Sequence, residues 1–495
     1  MKNMLKYINL LLVLLLLASC DDYLDVNKDP NNPTEVSPDL VLPGAQKYTA
    51  DNIQARYRGS ANIIGNLMMY NYSQSDGFSW YYDEFYYENY SANYNDVFEY
   101  PYLTTLKEYQ ILINLEQDEY AYYRAIGMIM KAYHFQLLVD FFGDVPYFEA
   151  LVRGENATPV YDNAQVIYAD LVAQLTNAIE LINSADAAIE VGNSDVMFSG
   201  DMDQWKRFAN TVKLRILTRL MSNNPTTIDI AAEFAVIASE GSGYITADVG
   251  INPGYENAEA KQNPLWTRYG SDVSGSETMT NLATCATDYV INYLQSTNDP
   301  RISYIYEEPA SGHLGVPQGL LGNEYDSPVV DQYDPEFVSN IGPGILKSAD
   351  MDAVIYTLAE CKFNLAEAAL KGYISGNPQL YYEAGIQASF DYLGASGASA
   401  YYGQSIRNVG WAASLGNELE AIITQKWIAT NGITAEQSWF DYSRTGFPAG
   451  LPISRLASTP DRPVRLELPP SEYAYNIDNV PSQPNIFNTK IFWAN

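Results

Sequence analysis

Apolar and polar positions along the chain alternate in three different ways, and each predicts a different kind of element. The first is one dense apolar run, Ile8 to Leu17, broken only by Asn9 and preceded by the basic residues Lys2 and Lys6. Small residues Ala18 and Ser19 follow, and then Cys20. A basic start, an apolar run of secretory length and small residues at its end predict a signal peptide. The run is shorter than the roughly 20 apolar residues that span a bilayer. Asp21 to about Pro38 has no period at all; it is acidic and rich in Asn and Pro, and predicts an extended tether.

The second pattern is helical. Between Leu40 and Tyr72, Ile53, Tyr57, Ile64 and Met68 fall on one stripe, with Gly59 and Gly65 weakening its middle. Leu103 to Asn114 predicts a short apolar helix. Ala121 to Phe142 predicts a long one, with Ile126, Ile129, Met130, Tyr133 and Leu137 on one face and Gly143-Asp144-Val145-Pro146 as its stop. Further helices are expected over Tyr161–Ser184, Asp203–Met221, Asp350–Lys371, Tyr381–Leu393 and Asn417–Thr430. Asp203–Met221 opens on an Asp cap and carries Lys206, Arg207, Lys213, Arg215 and Arg219. The pairs Asp201/Asp203 and Asp350/Asp352 precede helices, where capping accounts for them.

The third pattern is irregular. Residues 73–101 are polar but crowded with rings, 223–349 are punctuated by Gly, Pro, Asn and Ser every few residues, and 431–495 are rich in Pro. The expected class is therefore mostly α, with helical scaffold at about 40–222 and 350–430 around a loop-rich insertion. Paired helices with small residues at their contacts suggest a tetratricopeptide-like scaffold, although no clean repeat period is visible.

Composition narrows the function. The net charge is −32, and loss of Lys2 and Lys6 with the leader takes it to −34. That argues against nucleic acid or anionic lipid as partner. The 41 tyrosines serve cores, interfaces and sugar-stacking surfaces equally. Leu17-Ala18-Ser19-Cys20 resembles a bacterial lipobox, with cleavage before a lipidated Cys20, so the chain is expected on a membrane surface. Cys285 and Cys361 are then left, enough for one disulfide; Cys361 lies in a helical pattern, which favours a buried thiol.

Six blocks in order resemble the SusD/RagB family of nutrient-binding outer-membrane lipoproteins: DVNKDPNNPTEVSPDLVLPGAQ (25–46), KAYHFQLLVDFFGDVPYFEAL (131–151), WKRFANTVKLRILTRL (205–220), AECKFNLAEAALKG (359–372), WFDYSRTGFP (439–448) and RLELPPSEYAYNIDNV (465–480). The resemblance implies a SusD-like fold in one domain over 40–495, with tetratricopeptide-like helix pairs and a loop-rich face toward ligand. It implies a non-catalytic role, without cofactor, as a surface lid on a SusC-like TonB-dependent transporter, capturing oligosaccharide or, in some members, peptide. Acidic residues after the lipidated cysteine, here Asp21 and Asp22, accompany export to the cell surface in that family.

Loops are where binding side chains concentrate, and three of them carry candidates. The first, 78–94, holds Trp80, Tyr81, Tyr82 and Tyr86, with Asp83, Glu84 and Asn89 as hydrogen-bonding neighbours. Flat rings suit the C–H faces of sugars; packing against the scaffold or the transporter is the competing role. The second, 263–269, holds Trp266, Arg268 and Tyr269, with Asn263 and Asp272 nearby. Arg268 offers a planar fork for carboxylates or hydroxyls. The third is Trp411, after Tyr401, Tyr402 and Arg407. Trp205, Trp427 and Trp439 fall in helical blocks and read as core.

Catalysis finds little material. His134 and His313 are the only histidines, no Gly-x-Ser-x-Gly elbow occurs, and HExxH, CxxC and P-loop patterns are missing. No metal spacing stands out. With 60 acidic residues, carboxylate pairs of glycosidase type arise by chance and decide nothing. A surface glycoside hydrolase and a ligand-free transporter subunit stand as rival expectations.

Overall fold

The computed structural model describes residues 37–55, 59–88, 90–152, 156–320 and 333–494. The leader, Cys20 and the tether up to residue 36 lie outside the described residues, as do Tyr57 and Asn89; the expected tether ends where Pro38 opens a helix. The described residues are mostly helical, 51% helix and 5% strand.

Sequence periodicity translates most directly in the scaffold. The helix Ala121–Phe142 packs on Leu106–Ile113 and on Ala164–Ser184, which in turn packs on Met202–Leu220. Gly143 ends the first of these at φ +77°, its N–H bonded to the Val139 carbonyl at 2.8 Å. Met202–Leu220 then meets Leu358–Leu370, which packs on Pro378–Leu393 and Glu418–Thr430. Glu418–Thr430 leads to Glu436–Thr445, which lies against Ala61–Met68 near the start of the chain. The helical ends of the sequence thus close on each other.

From Phe208 onward the basic helix is buried throughout. Arg215 donates from Nε and Nη2 to the two Glu360 oxygens at 2.8 and 3.0 Å, and its guanidinium carbon sits 3.8 Å from the Tyr356 ring centre. Arg219 reaches Asp441 at 3.0 Å and Asp140 at 3.3 Å. Lys426 and Arg444 converge on the same Asp441 at 2.8 and 2.9 Å, and Arg444 also holds Glu367. Burial alone would raise the Asp441 carboxyl, but Lys426, Arg444 and Arg219 hold it well below the usual carboxylate range. His134 is enclosed elsewhere, between Tyr109 and Tyr133, with Nε2 2.9 Å from Thr49 Oγ1, and burial pushes its pKa down to about 3.

Several boundaries differ from the sequence reading, each for a visible reason. The stripe over 40–72 is two helices, Pro38–Gln54 and Ala61–Met68. Gly65 does not weaken the second; a Cβ there would lie 2.0 Å from the Glu436 backbone nitrogen, so the glycine permits a helix-to-backbone contact. Residues 73–101 are not a loop but a strand and short helices, because Tyr81, Phe85, Tyr87, Tyr94 and Phe98 are buried and fold the segment onto the scaffold. Ala353–Tyr356 is a strand paired with Val249–Ile251, so the helix expected from Asp350 starts only at Leu358, capped by Thr357. Asp352 accepts from Asn252 instead of capping. Asp201, not Asp203, caps Met202–Leu220. The irregular tail contains the buried helix Glu436–Thr445.

Trp205, Trp427 and Trp439 are core, as their blocks suggested. Cys285 and Cys361 are both buried, unpaired thiols. A smaller core, under Pro378–Leu393 and Glu418–Thr430, gathers Phe363, Tyr382, Phe390 and Trp411.

Candidate functional site

Strand Tyr72–Gln74 pairs antiparallel with Thr284–Ala286, Ser73 opposite Cys285. This pairing lays the ring-rich segment after residue 75 beside the segment that precedes residue 284. Ser75 N–H bonds the Ala283 carbonyl at 3.1 Å, and Tyr81 Oη lies 2.7 Å from Thr284 Oγ1. Gln74 closes the turn between them, donating to the Phe78 carbonyl and accepting from the Tyr81 N–H. Between the two segments lies a cleft of about 520 Å³, walled by Trp80, Tyr81, Asp83 and Glu84 on one side and by Arg268, Thr278 and Thr280 on the other. The first two candidate segments read from the sequence therefore meet in one place.

Trp80 stands at the mouth, 47% exposed, a fraction that no core indole shows. Tyr81 lends the wall only its ring, since its hydroxyl is tied to Thr284. Asp83 accepts from Asn93 Nδ2 at 2.6 Å and Glu84 from Tyr94 Oη at 2.8 Å. Burial pushes the Glu84 carboxyl up to about 7, with the hydroxyl of Tyr94 and the charge of Arg268 pulling against it. Gly59, at φ +75°, lets the chain pass Tyr94 closely; a Cβ there would lie 2.8 Å from Tyr94 Cδ1. Opposite, Asn263 caps the helix Pro264–Tyr269 by accepting from the Leu265 and Trp266 N–H groups, which aims Arg268 at the cleft. Its guanidinium carbon is 5.5 Å from the Tyr269 ring centre.

The remaining candidates are placed elsewhere. Tyr269 is fully buried against Tyr72 at 6.1 Å and presents no face to a ligand. Trp411 lies in the smaller core, its ring 5.3 Å from that of Tyr382; the Gly/Ser context that suggested a loop is a tight turn over that core. Tyr82 and Tyr86 do not line the cleft; Tyr86 is on the surface, its carbonyl accepting from Ser458. Trp266 faces a different cleft of about 480 Å³, with Glu277, Asn281, Ser303, Glu307 and Glu308. Asn263 and Asp272 serve as helix cap and loop clasp. Tyr94, Asn93, Thr278 and Thr280 complete the first cleft; no local pattern marks the two threonines, which arrive through the strand pairing.

The arrangement offers an exposed indole, two carboxyls, an amide and a guanidinium around an open cleft. Those are means of holding a polyhydroxylated ring, with its C–H face on the indole and its hydroxyls on the polar groups. Among the described residues, no cluster of three or more His, Cys, Asp or Glu side chains suits a metal ion, and no helix is long and apolar enough to cross a membrane.

A family profile described as starch-binding and associating with the outer membrane, named SusD-like, matches residues 30–469. Among curated proteins none matches the sequence. Solved structures are similar over nearly the whole chain. A chitin-binding SusD homologue from Flavobacterium johnsoniae is 23% identical, with a TM-score of 0.74 over 91% of this chain and 98% of its own. A SusD homologue from Bacteroides fragilis is 24% identical, with a TM-score of 0.69 over 93% of this chain and 99% of its own. One from Bacteroides uniformis is 22% identical, with a TM-score of 0.71 over 92% and 99%. At these identities the likeness is one of fold.

Proposed function

This chain belongs to the SusD-like family, and from that premise we propose that it is a non-enzymatic glycan receptor on the cell surface. It is anchored in the outer membrane through a lipid on Cys20. It holds oligosaccharide in the Trp80–Arg268 cleft and serves as lid for a SusC-like TonB-dependent transporter, which powers the import. The observation that carries the reading is the union of an exposed indole with Asp83, Glu84 and Arg268 across one cleft. The starch-binding description of the family and the chitin-binding relative support a neutral glycan as ligand. The transporter part draws on the family resemblance and on apolar side chains left exposed on the scaffold, Leu103 at 68% and Phe148 at 53%.

The test is equilibrium binding of the full chain, purified in detergent, to a panel of starch, chitin and other polysaccharides and to a mixed peptide digest. Binding to one glycan class, weakened about tenfold in Trp80→Ala, is the expected outcome, since an aromatic contact contributes up to about 1.4 kcal/mol beyond its area. Binding to peptides alone would keep the fold and overturn the ligand. Release of reducing ends by the purified chain would overturn the non-enzymatic role. Failure to co-purify with a barrel protein would overturn the lid.

A further inference from the structure

The helix Pro264–Tyr269 sends its two chemistry-bearing side chains to opposite sides. Residues two apart on a helix point roughly 200° apart, and Arg268 accordingly lines the first cleft while Trp266 lines the second. The returning chain repeats the division: Thr278 and Thr280 face the first cleft, Glu277 and Asn281 the second. The two stretches are fastened together. Thr278 donates from Oγ1 to the Arg268 carbonyl at 2.7 Å and from its N–H to the Gly270 carbonyl at 3.1 Å, and Asn281 donates to the Tyr269 carbonyl. Residues 264–281 therefore form a wall one helix and one loop thick, with a cleft of about 520 Å³ on one side and about 480 Å³ on the other.

The second cleft shares an indole and carboxylates with the first but not its guanidinium. Its indole is half-buried and held in place: Trp266 Nε1 donates to the Ser271 carbonyl at 3.0 Å, and a Cβ at Gly270 would lie 2.5 Å from Trp266 Cδ2. The glycine is what lets the ring lie on the backbone. Around it stand acceptors and hydroxyls, Glu277, Glu307, Glu308, Asn281 and Ser303, and no Lys or Arg lines it. Such a set accepts sugar hydroxyls and repels uronates and sulfates. Exposed Thr267 lines the first cleft's side of the wall, and Met279, which lines neither cleft, is 60% exposed.

Resting on the reading of the first cleft given above, we propose that the two clefts are successive subsites for one neutral oligosaccharide chain, which leaves the first cleft past Thr267 and crosses the wall by Met279. Trp80 and Arg268 hold one part of the chain, and Trp266 with Glu307 and Glu308 holds the next. Affinity then grows with chain length until both clefts are filled.

Calorimetric titration of the full chain in detergent, with malto- and chito-oligosaccharides from disaccharide to octasaccharide, tests this. The wild-type protein is expected to bind the longer members of the preferred series more tightly. Trp266→Ala is expected to weaken the long members about tenfold and to leave the shortest binding member unchanged, which also reports that the variant is folded. Trp80→Ala is expected to weaken every length. Oligogalacturonides are expected to gain nothing with length. Affinity that is flat with length, or a Trp266→Ala variant that behaves as wild type or loses short and long members equally, overturns the second subsite while leaving the first cleft standing. No binding of either series by any form overturns the reading of the first cleft and this inference with it.

Discussion

The seven tryptophans divide the molecule into two regions that use one residue type in opposite ways. In the helical scaffold Trp205, Trp427, Trp439 and Trp493 are at most 1% exposed, and Trp411 is nearly so. In the strand-paired region around residues 72–94 and 264–286, Trp80 is open at a cleft mouth and Trp266 is half-open at another. Charge follows the same division. Scaffold guanidiniums meet carboxylates inside the protein, as Arg215 meets Glu360, whereas Asp83, Glu84 and Arg268 border solvent. Identical side chains are structural where helices enclose them and available where short elements leave a cleft.

The sharpest way to break this contrast is to strand a scaffold charge. Arg215→Leu leaves the Glu360 carboxylate buried without its partner, a loss of about 3–5 kcal/mol. Urea unfolding followed by tryptophan fluorescence is expected to show that loss, and an unchanged midpoint would contradict the buried pairing. Next comes Trp411→Ala, expected to cost about 3–5 kcal/mol of stability while leaving glycan affinity untouched. Trp80→Ala should do the reverse, staying within about 0.5 kcal/mol of wild-type stability, as surface changes do. Equal behaviour of the two variants in both assays would erase the distinction between the regions.

The smallest expected effect is on pH dependence. Glu436 is fully buried, and burial raises its carboxyl to about 7, as it does for Glu84. Both groups titrate near 4.5 when unexceptional, so between those values the fold holds protons that the unfolded chain has released. Their contribution to stability is complete below about 4.5 and lost as pH rises through 7. His134 works in the opposite sense, since its lowered pKa adds stability as pH rises from about 3 to 6.5. Glu436→Gln is therefore expected to raise the melting temperature relative to wild type at pH 8 by a few degrees, about 2–4 °C per kcal/mol, and to leave it alike at pH 4.5. A difference independent of pH would contradict the raised pKa.

Much of the scaffold was legible because a helix announces itself locally. Ala121–Phe142 carries its period and its Gly143 stop, and Met202–Leu220 its Asp201 cap, within a few residues. Val354 fits both a helical stripe and a strand, and only its distant partner Gly250 decides between them. Gly59 and Gly65 looked like weak points because their neighbours, Tyr94 and Glu436, are far along the chain. For the site, the residue types at 78–94 and 263–269 gave the candidates. What sequence did not carry was which rings turn inward. Tyr269 and Trp411 are enclosed by Tyr72 and Tyr382, and Trp80 is not. Nor did it carry the pairing of Tyr72 with Ala286, on which the whole cleft depends.

The ion pair between Arg215 and Glu360 also has a temporal meaning. A ribosome delivers the arginine helix long before its carboxylate, and everything from 223 to 349 must be synthesised in between. Until then the basic helix Met202–Leu220 lacks the Leu358–Leu370 surface that covers it. Closing so long a loop is entropically costly and slow. The nascent chain therefore passes through a stage in which arginines destined to be buried still face water.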